Sequence, residues 1–343
     1  ILAQADRHRG LEALREARSP PRPRAQGCWR PVAQSAGSMR TTRVIAAKTV
    51  SSPWLLSCVV GTIAATSALF FGAAVTEVII DDLAIFFVLL LVGVLAYLQS
   101  DWALAYLERF SPDVVWRIPT RQKRAALTID DVPLLEKPTS LEEVLDILRE
   151  HKVTATLFIM SGFDLDPEKG GMKPEARKRC RDLLQRAVAE GHELGNHLQF
   201  DWPAVAMEPP DFDAAFEHCD QFLAELAGGE KAWRSRPRRW FRPASAMWNS
   251  HILRRAREKG YTTVIANCYP HDVASVTRHI NARYLRWRVR PGAVVIVHDR
   301  WHTPETLRKA LPEIKSQGLE LGTLSDLQAA ADGEAAVKGG AAE

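Results

Sequence analysis

Cysteine is scarce in this sequence and never falls into a metal-binding or redox spacing. The 343 residues include five cysteines, and none of them forms a CxxC pair. This pattern excludes a disulfide framework and a zinc–thiolate site, while one bond among Cys180, Cys219 and Cys268 stays open. The cysteines therefore do not define the redox compartment of the protein.

An excess of basic charge is also missing from most of the chain. The formal net charge is +4, yet residues 1–53 hold ten Lys and Arg residues against three acidic residues, which leaves −3 for the remainder. A domain with this charge is a poor partner for nucleic acid, so we expect none. We expect residues 1–53 to be a disordered basic segment, in which residues 1–38 are disordered or precede the true start at Met39.

Lys and Arg are entirely absent from the 46 residues of Trp54–Gln99. A membrane helix needs about 20 apolar residues, so residues 54–106 are predicted to be a transmembrane region of one or two helices. The run is too long for a secretory signal peptide and too free of charge for buried helices of a soluble protein. Basic residues on both sides favour a hairpin with cytoplasmic ends, whereas a single signal anchor would place the downstream domain in a lumen or outside.

Beyond Pro119 the sequence alternates between strand and helix patterns. The predicted strands are 125–129, 153–160, 192–196, 240–241, 262–266, 293–297 and 320–323. The predicted helices are 140–151, 174–190, 211–227, 250–259, 273–289 and 304–317. Such alternation places parallel strands inside a layer of helices.

These elements define the predicted fold class as α/β. About seven strands within residues 120–331 suit a distorted or incomplete (β/α) barrel, preceded by the N-terminal transmembrane region. Residues 107–119 are expected to be a linker. Residues 332–343, which are rich in Gly and Ala, are expected to be a disordered tail.

Reactive side chains stand at or just after several predicted strand ends, which is where the catalytic groups of such barrels lie. They are Asp130, Asp131, His197, Arg242, Asp272 and His298. Side chains of adjacent strand residues normally point to opposite faces, so we expect a frayed strand end to turn both Asp130 and Asp131 into one site. One carboxylate could then hold a metal while the other accepts a proton from water.

The other groups each have a simpler alternative. His197 and Asp201 are spaced i, i+4, which on a helical turn would place two metal ligands on one face. Alternatively, the segment is a helix N-cap with a solvated histidine. Arg242 could fix a carboxylate or extend from the surface. His298 could be a general acid tuned by Asp272, or a satisfied core histidine beside a turn residue.

Five segments in order over roughly residues 120–330 resemble the motifs of the NodB-homology polysaccharide deacetylase family, carbohydrate esterase family 4. The segments are Thr128–Pro133, His197–Asp201, Phe241–Ser245, Asp272 and Ile296–His298. Most of the family has a second histidine where Asp201 stands. Asp at this place makes the sequence most similar to fungal and algal chitin deacetylase-like proteins.

The resemblance implies a catalytic role for five residues. Asp130 is the base, and Arg242 orients it. His298 protonates the leaving amine with support from Asp272. A backbone N–H near Ser245 helps to hold the oxyanion.

The resemblance also implies a metal bound by Asp131, His197 and Asp201. Zn²⁺ is the expected ion, with Mn²⁺ or Co²⁺ as alternatives because a second carboxylate makes the site harder. The implied activity is removal of N-acetyl groups from an N-acetylglucosamine-containing glycan such as chitin or a chitooligosaccharide. The rivals are a catalytically impaired, membrane-tethered glycan-binding pseudoenzyme and an O-acetyl esterase on the same fold.

The expected partners are thus the glycan substrate and the lipid bilayer. A glycan substrate favours an integral membrane protein with a lumenal or extracellular catalytic domain, while the charge pattern keeps the cytosolic orientation open.

Overall fold

The computed structural model describes residues 82–83, 85–95, 99–135, 139–273 and 278–340, all within the unit Thr76–Glu343. The basic segment and most of the predicted transmembrane region therefore lie outside the described residues. Within the described ranges, no helix has both the length and the apolar character needed to cross a bilayer. Residues 85–95 are helical.

A parallel sheet of eight strands forms the centre of the domain. The strands are β1 (Val114–Val115), β2 (Arg124–Val132), β3 (Thr156–Ile159), β4 (Glu193–Asn196), β5 (Trp240–Phe241), β6 (Thr262–Val264), β7 (Val294–His298) and β8 (Glu320–Gly322). Their order is β1-β6-β5-β4-β3-β2-β7, and β8 pairs with the start of β2. A single bridge from Cys268 to Val295 connects the segment after β6 to β7. The sheet therefore curls into an incomplete barrel, which confirms the predicted α/β class.

Helices connect the strands. They are α1 (Asp101–Phe110), α2 (Leu141–His151), α3 (Pro174–Ala189), α4 (Pro209–Leu226), α5 (Glu230–Arg234), α6 (Ser250–Glu258), α7 (Arg278–Arg288), α8 (Thr303–Ser316) and α9 (Leu324–Gly340). In α2, Leu141, Val144, Leu145 and Leu148 are buried, and this i, i+3, i+4, i+7 spacing is the reason the helix packs on the sheet. Lys152 ends α2 in a left-handed conformation with φ 54°.

Alternate residues of the strands pack into two apolar clusters. On β2, Ala125, Leu127 and Ile129 belong to the larger cluster, which most of the helices also join. Ala126 belongs to the smaller one together with Phe158 and other apolar side chains. This alternation explains why β2 is buried along almost its whole length.

The three described cysteines are buried free thiols, which closes the possibility of a bond among Cys180, Cys219 and Cys268. Burial raises the pKa of Cys180 to about 11 and that of Cys219 to about 12. These cysteines therefore behave as small apolar side chains of the core.

The expected linker over 107–119 is corrected by the structure. Val114 and Val115 form β1 and pair in register with Thr263 and Val264 of β6. The β-branched pair can extend the sheet edge, so the segment belongs to the fold. The preceding residues 101–106, placed by the sequence analysis in the transmembrane region, belong to α1.

The tail also differs from expectation, because α9 continues through residues 332–340. The carboxylate of Glu334 accepts hydrogen bonds from the Thr120 hydroxyl and from the backbone N–H groups of Arg121 and Gln122. Ala335 and Ala336 are strong helix formers, and the contacts of Glu334 hold the stretch in place despite its three glycines.

Candidate active site

Asp130 and Asp131 reach one cavity through a bulge in β2. The pairing of β2 with β3 shifts register between Ile129 and Val132, and Asp131 has a left-handed backbone with φ 58°. A bulge places two residues opposite one partner residue and redirects their side chains. The expected fraying of the strand end is therefore wrong, since both carboxylates are buried inside the strand.

Asp130 is fixed by Arg242, which follows β5. The Arg242 guanidinium donates to Asp130 Oδ1 at 2.5 Å and to the Thr128 hydroxyl at 2.7 Å. It also donates to the backbone carbonyls of Val264 and Ile265 at 3.2 and 2.6 Å. Arg242 is 1% exposed, so this residue is not a surface arginine.

The ring of Phe158 lies under Arg242, with the guanidinium carbon 4.1 Å from the ring centroid. Gly195 makes room for this ring, because a Cβ there would lie 2.6 Å from Phe158 Cε1. The stacked ring and the carbonyls stabilise the buried cation on the side away from Asp130. The orientation of Asp130 is thus set by several elements of the sheet at once.

Asp131, His197 and Asp201 form a cluster in which one oxygen or nitrogen atom from each lies within 4.8 Å of the others. The His197 Nδ1–H donates to the Arg242 carbonyl at 2.7 Å, so Nε2, 3.4 Å from Asp131 Oδ1, is the ring nitrogen that can bind a metal. Two carboxylates and one imidazole suit zinc or a harder divalent ion. The residues present therefore fit the metal that the sequence implies.

The electrostatics of this cluster favour an ionised Asp131. Burial opposes ionisation, but the His197 hydrogen bond and the charges of His298 and Arg300 hold the pKa of Asp131 well below its usual range. Burial likewise lowers the pKa of His197, and the hydrogen bond to Asp131 outweighs it and raises that pKa overall.

The spacing of His197 and Asp201 does not arise from a helix. His197 follows β4 directly, Leu198 has φ 68°, and Asp201 lies in an exposed turn. This turn, rather than a helix, brings the side chains of His197 and Asp201 together. The helical-turn explanation is therefore wrong.

His298 ends β7 on the other side of Asp130, and Asp272 holds it. Asp272 Oδ1 lies 2.8 Å from His298 Nδ1, and Oδ2 accepts the His298 backbone N–H at 2.7 Å. Burial lowers the pKa of His298, but the charge and hydrogen bond of Asp272 outweigh it and raise the pKa to about 9. A protonated imidazole at neutral pH can donate a proton to a leaving group.

The role that the resemblance implies for Ser245 involves its backbone N–H rather than its side chain. Ser245 has φ 60° in the turn Ala244–Ala246, and it lies at the edge of the same cavity. A left-handed residue aims its N–H away from the regular direction, as turns that bind anions often do.

Arg300 and Asp299 were missed by the sequence analysis. Arg300 donates to Asp131 Oδ2 at 2.6 Å, so each of the two adjacent carboxylates has its own arginine. Asp299 accepts the backbone N–H groups of Leu134 and Ser140 at 2.9 and 2.8 Å and thereby anchors the start of α2. Their position directly after His298 is a signal that could have identified both residues.

These side chains line a cavity of about 540 Å³. The sequence-predicted residues that line it are Asp130, Asp131, His197, Asp201, Arg242, Ser245 and His298. Asp272 lies behind His298 and is 1% exposed. Two adjacent carboxylates, two imidazoles and a buried arginine thus meet at the carboxyl ends of the parallel strands.

Comparison with known proteins agrees with this geometry. The family model of the polysaccharide deacetylases matches residues 117–264. A peptidoglycan-N-acetylglucosamine deacetylase of Bacillus cereus is 30% identical over 223 residues, covering 62% of this chain and 92% of that protein. A chitooligosaccharide deacetylase of Bradyrhizobium is 27% identical, covering 59% of this chain and 89% of that protein.

A solved structure of similar fold is BA3943 of Bacillus anthracis, described as a pseudoenzyme of carbohydrate esterase family 4. It has a TM-score of 0.50 and 20% identity, covering 63% of this chain and 68% of that one. At this identity the likeness shows the fold alone.

The incomplete parallel barrel, the site at the carboxyl ends of its strands and the relatives named above together identify the class of protein. The chain belongs to the polysaccharide deacetylase family, the NodB-homology domains of carbohydrate esterase family 4. It is accordingly a hydrolase of the kind that acts on carbon–nitrogen bonds other than peptide bonds.

Proposed function

We propose that this protein is a metal-dependent deacetylase that removes N-acetyl groups from an N-acetylglucosamine-containing glycan. One observation carries the proposal: Asp130, held by Arg242, stands in one cavity with the Asp131–His197–Asp201 cluster. The relatives named above act on peptidoglycan and chitooligosaccharides, and both polymers contain the same sugar.

The metal would be held by Asp131, His197 and Asp201. When bound, such an ion polarises the acetyl carbonyl and lowers the pKa of water to about 7. Zn²⁺ is the ion we expect, and Mn²⁺ or Co²⁺ would suit the second carboxylate. His197 is oriented for this task by its bond to the Arg242 carbonyl.

The chain's own groups move the protons. Asp130 accepts a proton from the attacking water, and Arg242 keeps the carboxylate oxygen aimed at it. The water oxygen bonds to the acetyl carbon, and the backbone N–H near Ser245 stabilises the resulting oxyanion. His298 donates a proton to the nitrogen as the carbon–nitrogen bond breaks, which yields acetate and a free amine.

Asp201 favours a second candidate, the catalytically impaired glycan-binding protein. It is the exposed member of the cluster, and partial desolvation and the Asp131 charge both raise its pKa, so protons compete for this carboxylate more than for Asp131. We favour the active enzyme because base, acid and orienting arginine all lie in the cavity. The resemblance to fungal and algal chitin deacetylase-like proteins at this position stays a prediction.

We further propose that the protein is membrane-bound, with its domain in a lumen or outside the cell. The apolar run of Trp54–Gln99 and the glycan substrate support this placement. The hairpin with a cytosolic domain is the alternative, and protease protection in sealed vesicles would separate the two orientations.

The decisive experiment measures acetate release from chitooligosaccharides by the full chain. The chelated protein is assayed alone and then with Zn²⁺, Mn²⁺ or Co²⁺. We expect metal-dependent release that falls about 10²–10⁴-fold in Asp130→Asn, which loses the base but none of the three ligands. Asp182→Asn, an exposed carboxylate paired with Lys178, is the matched control and should keep full activity.

Other outcomes would assign the protein differently. Metal binding without acetate release from N-acetyl substrates, but with release from O-acetyl glycans, would make it an esterase. A folded protein that neither binds metal nor releases acetate would be the glycan-binding pseudoenzyme.

A further inference from the structure

The catalytic cavity has two chemically different sides. One side carries the polar groups described above. The other side, which we call the N-terminal wall, is formed by residues that precede the catalytic motifs. Its lining residues are Leu95, Gln99, Ala103, Leu104, Leu107 and Trp116. Four of these six are aliphatic, and the indole N–H of Trp116 donates to the Ser111 hydroxyl, so most of this wall offers no hydrogen-bonding group to a sugar.

The N-terminal wall is attached to the domain by specific polar contacts. Gln99 Nε2 donates to the Tyr269 carbonyl at 2.8 Å, and Gln99 Oε1 accepts the Tyr269 backbone N–H at 2.8 Å. Arg288 donates to the Gln99 carbonyl at 2.6 Å and to Asp101 Oδ1 at 2.8 Å. Leu104 of α1 is 4% exposed. The wall is therefore a built part of the site.

The wall continues into an apolar helical segment. Every residue from 85 to 94 is exposed, and the large apolar side chains there are between 43% and 65% exposed. A helix that is apolar on all sides is normally surrounded by hydrocarbon or by a protein core. Leu95, at the end of this segment, lines the catalytic cavity, so the apolar segment reaches the site.

A plain sugar polymer is poorly matched to such a wall. Hydroxyl groups pressed against aliphatic side chains lose their water without gaining a partner, which is unfavourable. An apolar chain in the same place is favoured by the removal of its surface from water. The wall and the catalytic groups together fit a molecule with a sugar at one end and a hydrocarbon at the other.

We infer that the substrate is an amphiphile: an N-acetylglucosamine-bearing glycan attached to a lipid chain, which lies along the N-terminal wall while the acetamido group meets Asp130. This inference rests on the proposed deacetylase activity and narrows its substrate class. It gives the apolar segment 85–95 a function besides attachment, because the segment brings the site to the surface where such lipids reside.

The test compares two glycosides of di-N-acetylchitobiose, one with a methyl and one with an octyl group at the reducing end. The full chain is held in lipid nanodiscs, and kcat/KM for acetate release is measured for each. We expect the octyl glycoside to be preferred by about tenfold or more, since several methylene groups would be removed from water. In Leu107→Gln, the octyl-to-methyl ratio should fall toward 1.

Tyr106→Gln is the matched control, because Tyr106 is an exposed apolar residue of the same helix that is not among the cavity-lining residues. It should keep the wild-type ratio. If the octyl preference is equal in the wild type and in Leu107→Gln, the glycoside is merely concentrated by the disc lipid and the inference is overturned. Equal kcat/KM for both glycosides also overturns it, while leaving the deacetylase intact. No release from either glycoside or from chitooligosaccharides would refute the deacetylase itself.

Discussion

The two sides of the catalytic cavity differ in how firmly the fold holds them. Asp130 and Arg242 are 3% and 1% exposed, and Arg242 bonds to Thr128 of β2 and to Val264 at the end of β6. In the N-terminal wall, α1 has a single buried residue, Leu104, and the wall is tied to the domain through Gln99 and Arg288. The sheet therefore fixes the catalytic side chains, whereas the segment that precedes the catalytic motifs shapes the space available to a substrate.

The largest expected effect concerns Arg242. Arg242→Met would leave Asp130 as a buried charge without its partner, and such a loss costs about 3–5 kcal/mol of unfolding free energy. Urea denaturation of the chelated protein would measure it. Arg238→Met, whose exposed side chain lies 3.6 Å from Asp332, should change stability by less than about 1 kcal/mol.

A second variant tests the physical reason for this loss. Adding Asp130→Asn to Arg242→Met removes the unpaired charge, so the double variant should be more stable than Arg242→Met alone. If Arg242→Met lowers the unfolding free energy by less than about 1 kcal/mol, the Asp130–Arg242 pair is held no more tightly than the N-terminal wall.

Asp272→Asn tests whether the His298 pKa is set by its buried partner. With a pKa of about 9, His298 keeps its proton at neutral pH, and activity should fall as the pH rises through about 9. Removing the Asp272 charge lowers that pKa toward the ordinary value of about 6.5, so the alkaline limb of kcat/KM should move to lower pH. An unmoved limb would show that another group sets it.

Asp201→His tests whether Asp201, the exposed member of the Asp131–His197–Asp201 group, binds the metal. The variant supplies the imidazole that most of the family has, which is a softer ligand than carboxylate. We expect affinity for Zn²⁺ to increase relative to Mn²⁺, as measured by calorimetric titration of chelated protein. An unchanged ratio would mean that Asp201 does not bind the ion.

The sequence predicted the catalytic side chains of the cavity better than it predicted the N-terminal wall. Short apolar runs that end at Asp130, Arg242 or His298 identify both the strand and the residue at its end. The Asp131 bulge depends on register against β3, and Arg300 reaches Asp131 across 169 residues, so neither follows from local pattern. The apolar residues of α1 up to Tyr106 fall in the predicted membrane region, because composition alone does not separate a lipid-facing leucine from a cavity-lining one.

The smallest expected effect is that of Gln99→Ala, which removes both hydrogen bonds to the Tyr269 backbone. Losing such bonds should cost about 1–2 kcal/mol locally, because the free backbone groups can turn to water. Hydrogen exchange at Tyr269 and along α1 should accelerate about tenfold or more, while the global unfolding free energy changes little. Gln317→Ala, which removes one bond to the Arg286 carbonyl, is the matched control and should leave this exchange unchanged. If Gln99→Ala instead lowers global stability as much as Arg242→Met does, the N-terminal wall is part of the same cooperative unit as the sheet.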